Sequence, residues 1–141
     1  MLIPFFREGI CLPVSQALLY LLCQEIELTE IDLERCTELN FRFDNPDYSK
    51  ESGGIQPVDI RLIRGLDGWL FDCITDYCYQ EPDDAAPLCK EFDFNFLDRE
   101  YRMLGWGSLA EDEARELFSL WQSQFVAYYR LDCFTVNVTG N

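Results

Sequence analysis

Twenty-six aspartates and glutamates and no histidine set the chemistry open to this chain of 141 residues. Without an imidazole there is no Ser–His–Asp or Cys–His arrangement to take a nucleophile's proton near neutral pH. Acid–base work would fall to paired carboxylates. Asp72 and Asp76 share a strand face by their spacing, but four residues at about 3.3 Å each set their Cα atoms roughly 13 Å apart. Paired glycosidase carboxylates stand about 5 to 9.5 Å apart. The chain therefore reads as a protein that is not an enzyme.

Metal and phosphate chemistry fare no better. Asp93-Phe94-Asn95 opens like a calcium loop, but Leu97 stands where a ligand belongs and Arg99 where the glycine turn belongs. Asp44-Asn45-Pro46-Asp47 also lacks the spacing. Seven cysteines, at 11, 23, 36, 73, 78, 89 and 133, are odd in number, and none is spaced Cys-x-x-Cys. With no histidine, zinc would need a four-cysteine cluster that these spacings do not offer. Cys23 follows Leu21-Leu22 and Cys133 precedes Phe134, the setting of reduced thiols acting as small hydrophobes. A reducing, cytoplasmic home follows. Gly53-Gly54 and Gly105-Trp106-Gly107 lack the lysine and strand-to-helix setting of a phosphate loop and read as turn glycines. No metal or cofactor is expected.

What remains is binding. Against the 26 acids stand 11 lysines and arginines, a net charge of -15. Such a surface repels nucleic acid and anionic membrane and attracts basic partners over about 8 Å at physiological salt. There is no basic patch to neutralise phosphate, so direct nucleic-acid binding is excluded. Residues 69 to 100 hold nine acids and two bases, with Glu81, Asp83 and Asp84 in one loop. These three are candidates for docking a basic protein surface. A DNA mimic is a further reading of the same acidity. The aromatic residues offer a different class of function: Tyr77 and Tyr79, with Trp106 or Trp121, could line a small-ligand pocket.

The elements that must position these residues are legible from periodicity. Val14, Leu18, Leu21, Leu22 and Ile26 recur at helical spacing over about 14 to 28, after Pro13. Thr37 to Phe43 alternates as a strand. A loop runs from Asp44 to Gly54, then a strand carries Val58, Ile60 and Leu62 on one face. Gly65 to Gly68 turns the chain into a third strand, Trp69 to Tyr79. Strict alternation there puts Trp69, Phe71, Cys73, Thr75, Tyr77 and Tyr79 on one face, with Asp72 and Asp76 on the other. Leu88 to Phe96 is ambiguous. Ser108-Leu109-Ala110-Glu111 fits a capping box, and Ala114, Leu117, Phe118, Trp121, Phe125 and Tyr128 form one helical stripe to about Arg130. Cys133 to Thr139 is a last strand.

Runs of strands flanked by helices predict an α+β domain spanning residues 1–141: a mainly antiparallel sheet of about four to five strands with two helices packed on one face. The apolar stretch Ala17 to Cys23 is far short of the 18 or so residues of a membrane span, and Arg7, Glu8 and Pro13 spoil any export signal.

One resemblance runs along the chain. Asp47-Tyr48-Ser49, Glu51, Gly53-Gly54 and Pro57-Val58 are followed by Ile74-Thr75-Asp76, Tyr77 and Tyr79, then Glu91-Phe92-Asp93-Phe94. Glu116-Leu117-Phe118, Leu120-Trp121-Gln122, Phe125 and Tyr128-Tyr129 complete the order. Together they resemble the bacterial domain-of-unknown-function family 2787, found mainly in marine and enteric gammaproteobacteria. The resemblance implies one conserved bacterial domain and no activity. It adds Tyr48 and Glu51, with neighbouring Asp47, to the candidates, since function tends to lie on loops. The leading expectation is a non-enzymatic module for a basic or amphipathic protein partner, as a monomer or homodimer.

Overall fold

The computed structural model describes residue 5 and residues 10–79 and 88–141. Helix α1 (Gln16–Thr29) begins where the Ser15 hydroxyl accepts the Leu18 N–H at 3.1 Å. That bond satisfies one of the donors a first turn leaves open. Pro13 and Val14 thus precede the helix instead of opening it. The helix stops at Glu30, which turns left-handed with φ 56°.

Six strands then run as an antiparallel meander: β1 (Glu38–Asp44), β2 (Val58–Arg64), β3 (Trp69–Tyr79), β4 (Leu88–Asn95), β5 (Glu100–Met103) and β6 (Gly107–Ser108). Helix α2 (Glu111–Arg130) carries the chain back, and β7 (Thr135–Gly140) pairs antiparallel with β1. The order is β6-β5-β4-β3-β2-β1-β7, a seven-stranded sheet where four to five strands were expected. The ambiguous segment at 88 is a full strand, because β3 and β5 flank it. The two extra strands are four and two residues long. Segments so short carry too few alternations to register as strands; pairing with β4, not their own composition, makes them so.

One face of the sheet meets the helices. Leu39, Phe41 and Phe43 of β1, Val58, Ile60 and Leu62 of β2, and Phe94 of β4 are buried there with Leu18, Leu22 and Ile26 of α1. Helix α2 lays Ala114, Phe118, Trp121 and Phe125 on the same face, with Phe118 edge-on to Phe94 at 5.2 Å and Phe125 edge-on to Phe43 at 4.9 Å. Each such ring contributes roughly 1.5–3 kcal/mol by leaving water. Gln122 joins the helices, its amide accepting Ser15 N–H at 2.8 Å and donating to Pro13 O at 2.9 Å. The other face carries ion pairs within and between strands: Arg42 with Asp44 and Asp59, Arg61 with Glu38 and Asp72, Lys90 with Asp93. No described helix is long and apolar enough to cross a membrane.

Two bulges break the alternation of the central strands. Arg61 pairs with Cys73 and Leu62 with Phe71, so Asp72 is an extra residue in β3. Asp76 pairs with Phe92 and Tyr77 with Lys90, so Glu91 is an extra residue in β4. A bulge reverses which side chains face the core beyond it. Trp69 and Phe71 face the helices before Asp72, but Ile74, Asp76 and Cys78 do so after it. The single aromatic face expected from strict alternation is therefore corrected: Tyr77 lies on the open face and Asp76 lies under the helices.

Candidate functional site

The bulges build a site. A pocket of about 300 Å³ opens between the chain entering β2, the middle of β3 and β4, and the C-terminal half of α2. Asp76 and Glu91 are its carboxylates; Phe92, Trp121, Phe125 and Phe134 are its aromatic walls; Gly54, Gln56, Gln124 and Tyr128 also line it. Trp121 stacks on Phe125 at 4.9 Å between centroids, which fixes the indole. Its ring N–H donates to Asp76 Oδ2 at 2.8 Å.

The carboxylates are the anomaly. Asp76 is only 7% exposed, and its Oδ1 has no hydrogen-bond partner among the described residues. Glu91 Oε2, likewise buried, has none. Burial pushes the Asp76 carboxyl up to about 7, and the neighbouring charge of Glu91 adds to the rise, against the opposing pull of the Trp121 bond. A buried polar atom without a partner costs roughly 1–3 kcal/mol, and more if charged. Two such residues lining one pocket leave carboxylate charge that a cation would offset. Among the described residues, no group of three or more His, Cys, Asp or Glu side chains could hold a metal ion.

The glycine loop forms part of the rim. Gly53 and Gly54 adopt φ 66° and 116°, which side chains resist, and Asn45 Nδ2 ties the loop to Cys133 O at 2.7 Å. Tyr48 is a structural member of this loop. Its ring stacks on Tyr79 at 5.6 Å, and its hydroxyl accepts the Tyr79 N–H at 3.0 Å. Burial pushes the Tyr48 hydroxyl up. Asp47 and Glu51 are exposed and do not line the pocket. Glu81, Asp83 and Asp84 lie outside the described residues.

The four aromatic candidates are dispersed. Trp121 is in the pocket. Tyr77 is on the open face, donating to Asp59 at 2.7 Å beneath the Arg42 guanidinium, and both burial and Asp59 hold its proton on. Tyr79 is the partner of Tyr48, and Trp106 stands 62% exposed between β5 and β6. Asp72 and Asp76 do not converge either, since Asp72 pairs with Arg61 at 3.3 Å on the open face. Sequence reasoning missed Glu91 and Phe92 as pocket residues, because Phe92 reaches Asp76 through β3–β4 pairing and Glu91 through the bulge beside it. It also missed that Cys78 and Cys89 stand opposite each other across β3 and β4.

Comparison with known proteins adds kinship. A family described as "Protein of unknown function (DUF2787)" matches residues 16–139. The hypothetical protein VC0508 from the VSP-II pathogenicity island of Vibrio cholerae is 28% identical, with 99% of each chain covered and a TM-score of 0.87. The conserved hypothetical protein VC1805 from pathogenicity island VPI-2 of Vibrio cholerae is 28% identical over 96% of this chain and 99% of its own, with a TM-score of 0.80. VC1805 is described as sharing structural homology with the human P32 protein. No curated protein matches.

Proposed function

The chain belongs to the DUF2787 family of proteins of unknown function, and we propose that it is a non-enzymatic binding module that takes a lysine or arginine side chain of a basic protein partner into the pocket at Asp76. The observation that carries this reading is the buried, unpartnered Oδ1 of Asp76, a residue that lines an aromatic pocket. Aromatic faces attract cations, and paired carboxylates complete the charge match. The net charge of -15 supplies the long-range attraction.

Two further features favour binding over catalysis. No described lining residue is a Ser, Cys or Lys, so the pocket offers no nucleophile beside its carboxylates. Two carboxylates also fall short of the 6–8 or so oxygens that calcium takes, which favours an organic cation. The likeness of VC1805 to human P32 is one of fold and adds no ligand.

The test is a titration with a lysine-bearing peptide against the same peptide carrying norleucine, at low and high salt. The lysine peptide is expected to bind more tightly at low salt, and Asp76→Asn to weaken it about tenfold or more. Equal affinity for the two peptides, or for the two proteins, overturns the reading. A free alkylamine binding as tightly as the peptide would turn the function toward a small ligand.

A further inference from the structure

Residues 135 to 139 read Thr-Val-Asn-Val-Thr, the same in both directions. They make up nearly all of β7, which ends the sheet: β1 bonds to its inner edge, and among the described residues nothing pairs with its outer edge. An open edge of this kind normally carries a charge, a proline or a bulge that blocks further pairing. Thr135–Gly140 has no charged residue and no proline, and its register with β1 is unbroken. That is a departure in a chain where 26% of residues are charged. At the other end of the sheet, β6 is only two residues long.

We propose that β7 pairs antiparallel with β7 of a second copy, about a two-fold axis through Asn137, so that two sheets become one. The palindrome makes this edge self-complementary, as a two-fold interface requires. Thr135 then stands opposite the partner's Thr139, Val136 opposite the partner's Val138, and Asn137 opposite its own copy. Val136 and Val138 lie beside Phe43 and Phe41 of β1, so the valine pairs extend the face that meets the helices. Asn137 and Thr139 lie beside Arg42 and Asn40, so the amide and threonine pairs extend the open face. Such cross-strand pairs each stabilise the pairing by roughly 0.2–1 kcal/mol. A slip by one residue would set every side chain on the wrong face.

The same surface charge that draws a basic partner repels a second copy. Since the seam itself is uncharged, that repulsion is long-range and screened by salt. Self-association is therefore expected to strengthen with salt, the opposite of cation capture at Asp76. The two proposals can fail separately.

Sedimentation of the full chain at low and high salt, over a range of concentrations, tests the pairing. The wild type is expected to dimerise more tightly as salt rises. Asn137→Lys and Asn137→Glu each set like charges face to face and should weaken the dimer about tenfold. Mixing the two variants sets opposite charges face to face and should restore it. A wild type that stays monomeric at high salt overturns the proposal, as do variants that dimerise like the wild type or a mixture that stays apart. A monomer that instead takes an extended peptide on this edge would assign β7 to strand addition by another chain.

Discussion

Asp76 carries the heaviest demand of any residue, and its sign with pH follows from its burial. Unfolded, the carboxyl ionises in the ordinary range near 3.8; folded, it ionises at about 7. Between those values the folded chain holds a proton the unfolded chain has released, so this group's contribution to stability falls as pH rises and levels off above about 7. Asp76→Asn keeps an oxygen for the Trp121 N–H and removes the charge. It should stabilise the protein by roughly 2–4 kcal/mol at about pH 8 and by little at about pH 4. Urea denaturation at the two pH values checks this, and an equal gain at both would refute the buried charge. A bound cation reverses the sense, because it favours the ionised form. Glu91 is the other carboxylate facing the site, with Gln56, Gln124, Tyr128 and the Trp121 N–H around it. Affinity for a lysine peptide should climb by up to about tenfold per pH unit below 7 and flatten above it. A flat profile across that window would separate the cation from Asp76.

Among the elements, α2 shows how local chemistry and tertiary context divide the work. Glu111, Asp112 and Glu113 fill its first turn, where the helix dipole favours acids, and Glu113 Oε1 accepts the Ala110 N–H at 3.0 Å. Ala110 at the N-cap has no oxygen to return the bond. Ala110→Ser should supply it and stabilise the protein by about 1 kcal/mol, raising Tm by roughly 2–5 °C. A calorimetric Tm unchanged by this substitution would show that the cap is not limiting. The sequence points to Ser108 as the cap, two residues early, because Ser108 is claimed by β6 through its pairing with Arg102. The same division governs legibility elsewhere. Helical stripes and the alternation of β1, β2 and β3 are written in apolar spacing, and those elements are found where periodicity puts them. The bulges at Asp72 and Glu91 are set by pairing between strands, and no periodicity announces them. They are also what creates the site, so Asp76 could be read as a strand carboxylate but not as a buried one beside Glu91.

For the whole molecule, charge is the property the sequence shows most plainly and the structure distributes. Arg42, Arg61, Lys90, Arg35 and Arg115 each stand in an ion pair with a nearby carboxylate. These cations compensate their neighbours, and the surplus of acids is left to the rest of the surface. Exposed acids such as Glu27, Glu30, Asp47, Glu51, Asp112 and Glu116 then repel one another across the fold. Compactness brings like charges closer than they stand in the unfolded chain, so self-repulsion disfavours the folded state and salt relieves it. The ion pairs themselves are half-exposed and worth little individually, so their screening takes back only a small part of that gain. Thermal stability should therefore rise with sodium chloride from low to high ionic strength, most steeply below physiological salt, where the screening length changes most. A melting temperature that falls with salt would mean that the ion-pair network outweighs the net charge. The three salt responses then form one signature of this acidic surface: stability and β7 pairing strengthen as repulsion is screened, while capture of a basic partner weakens as attraction is screened.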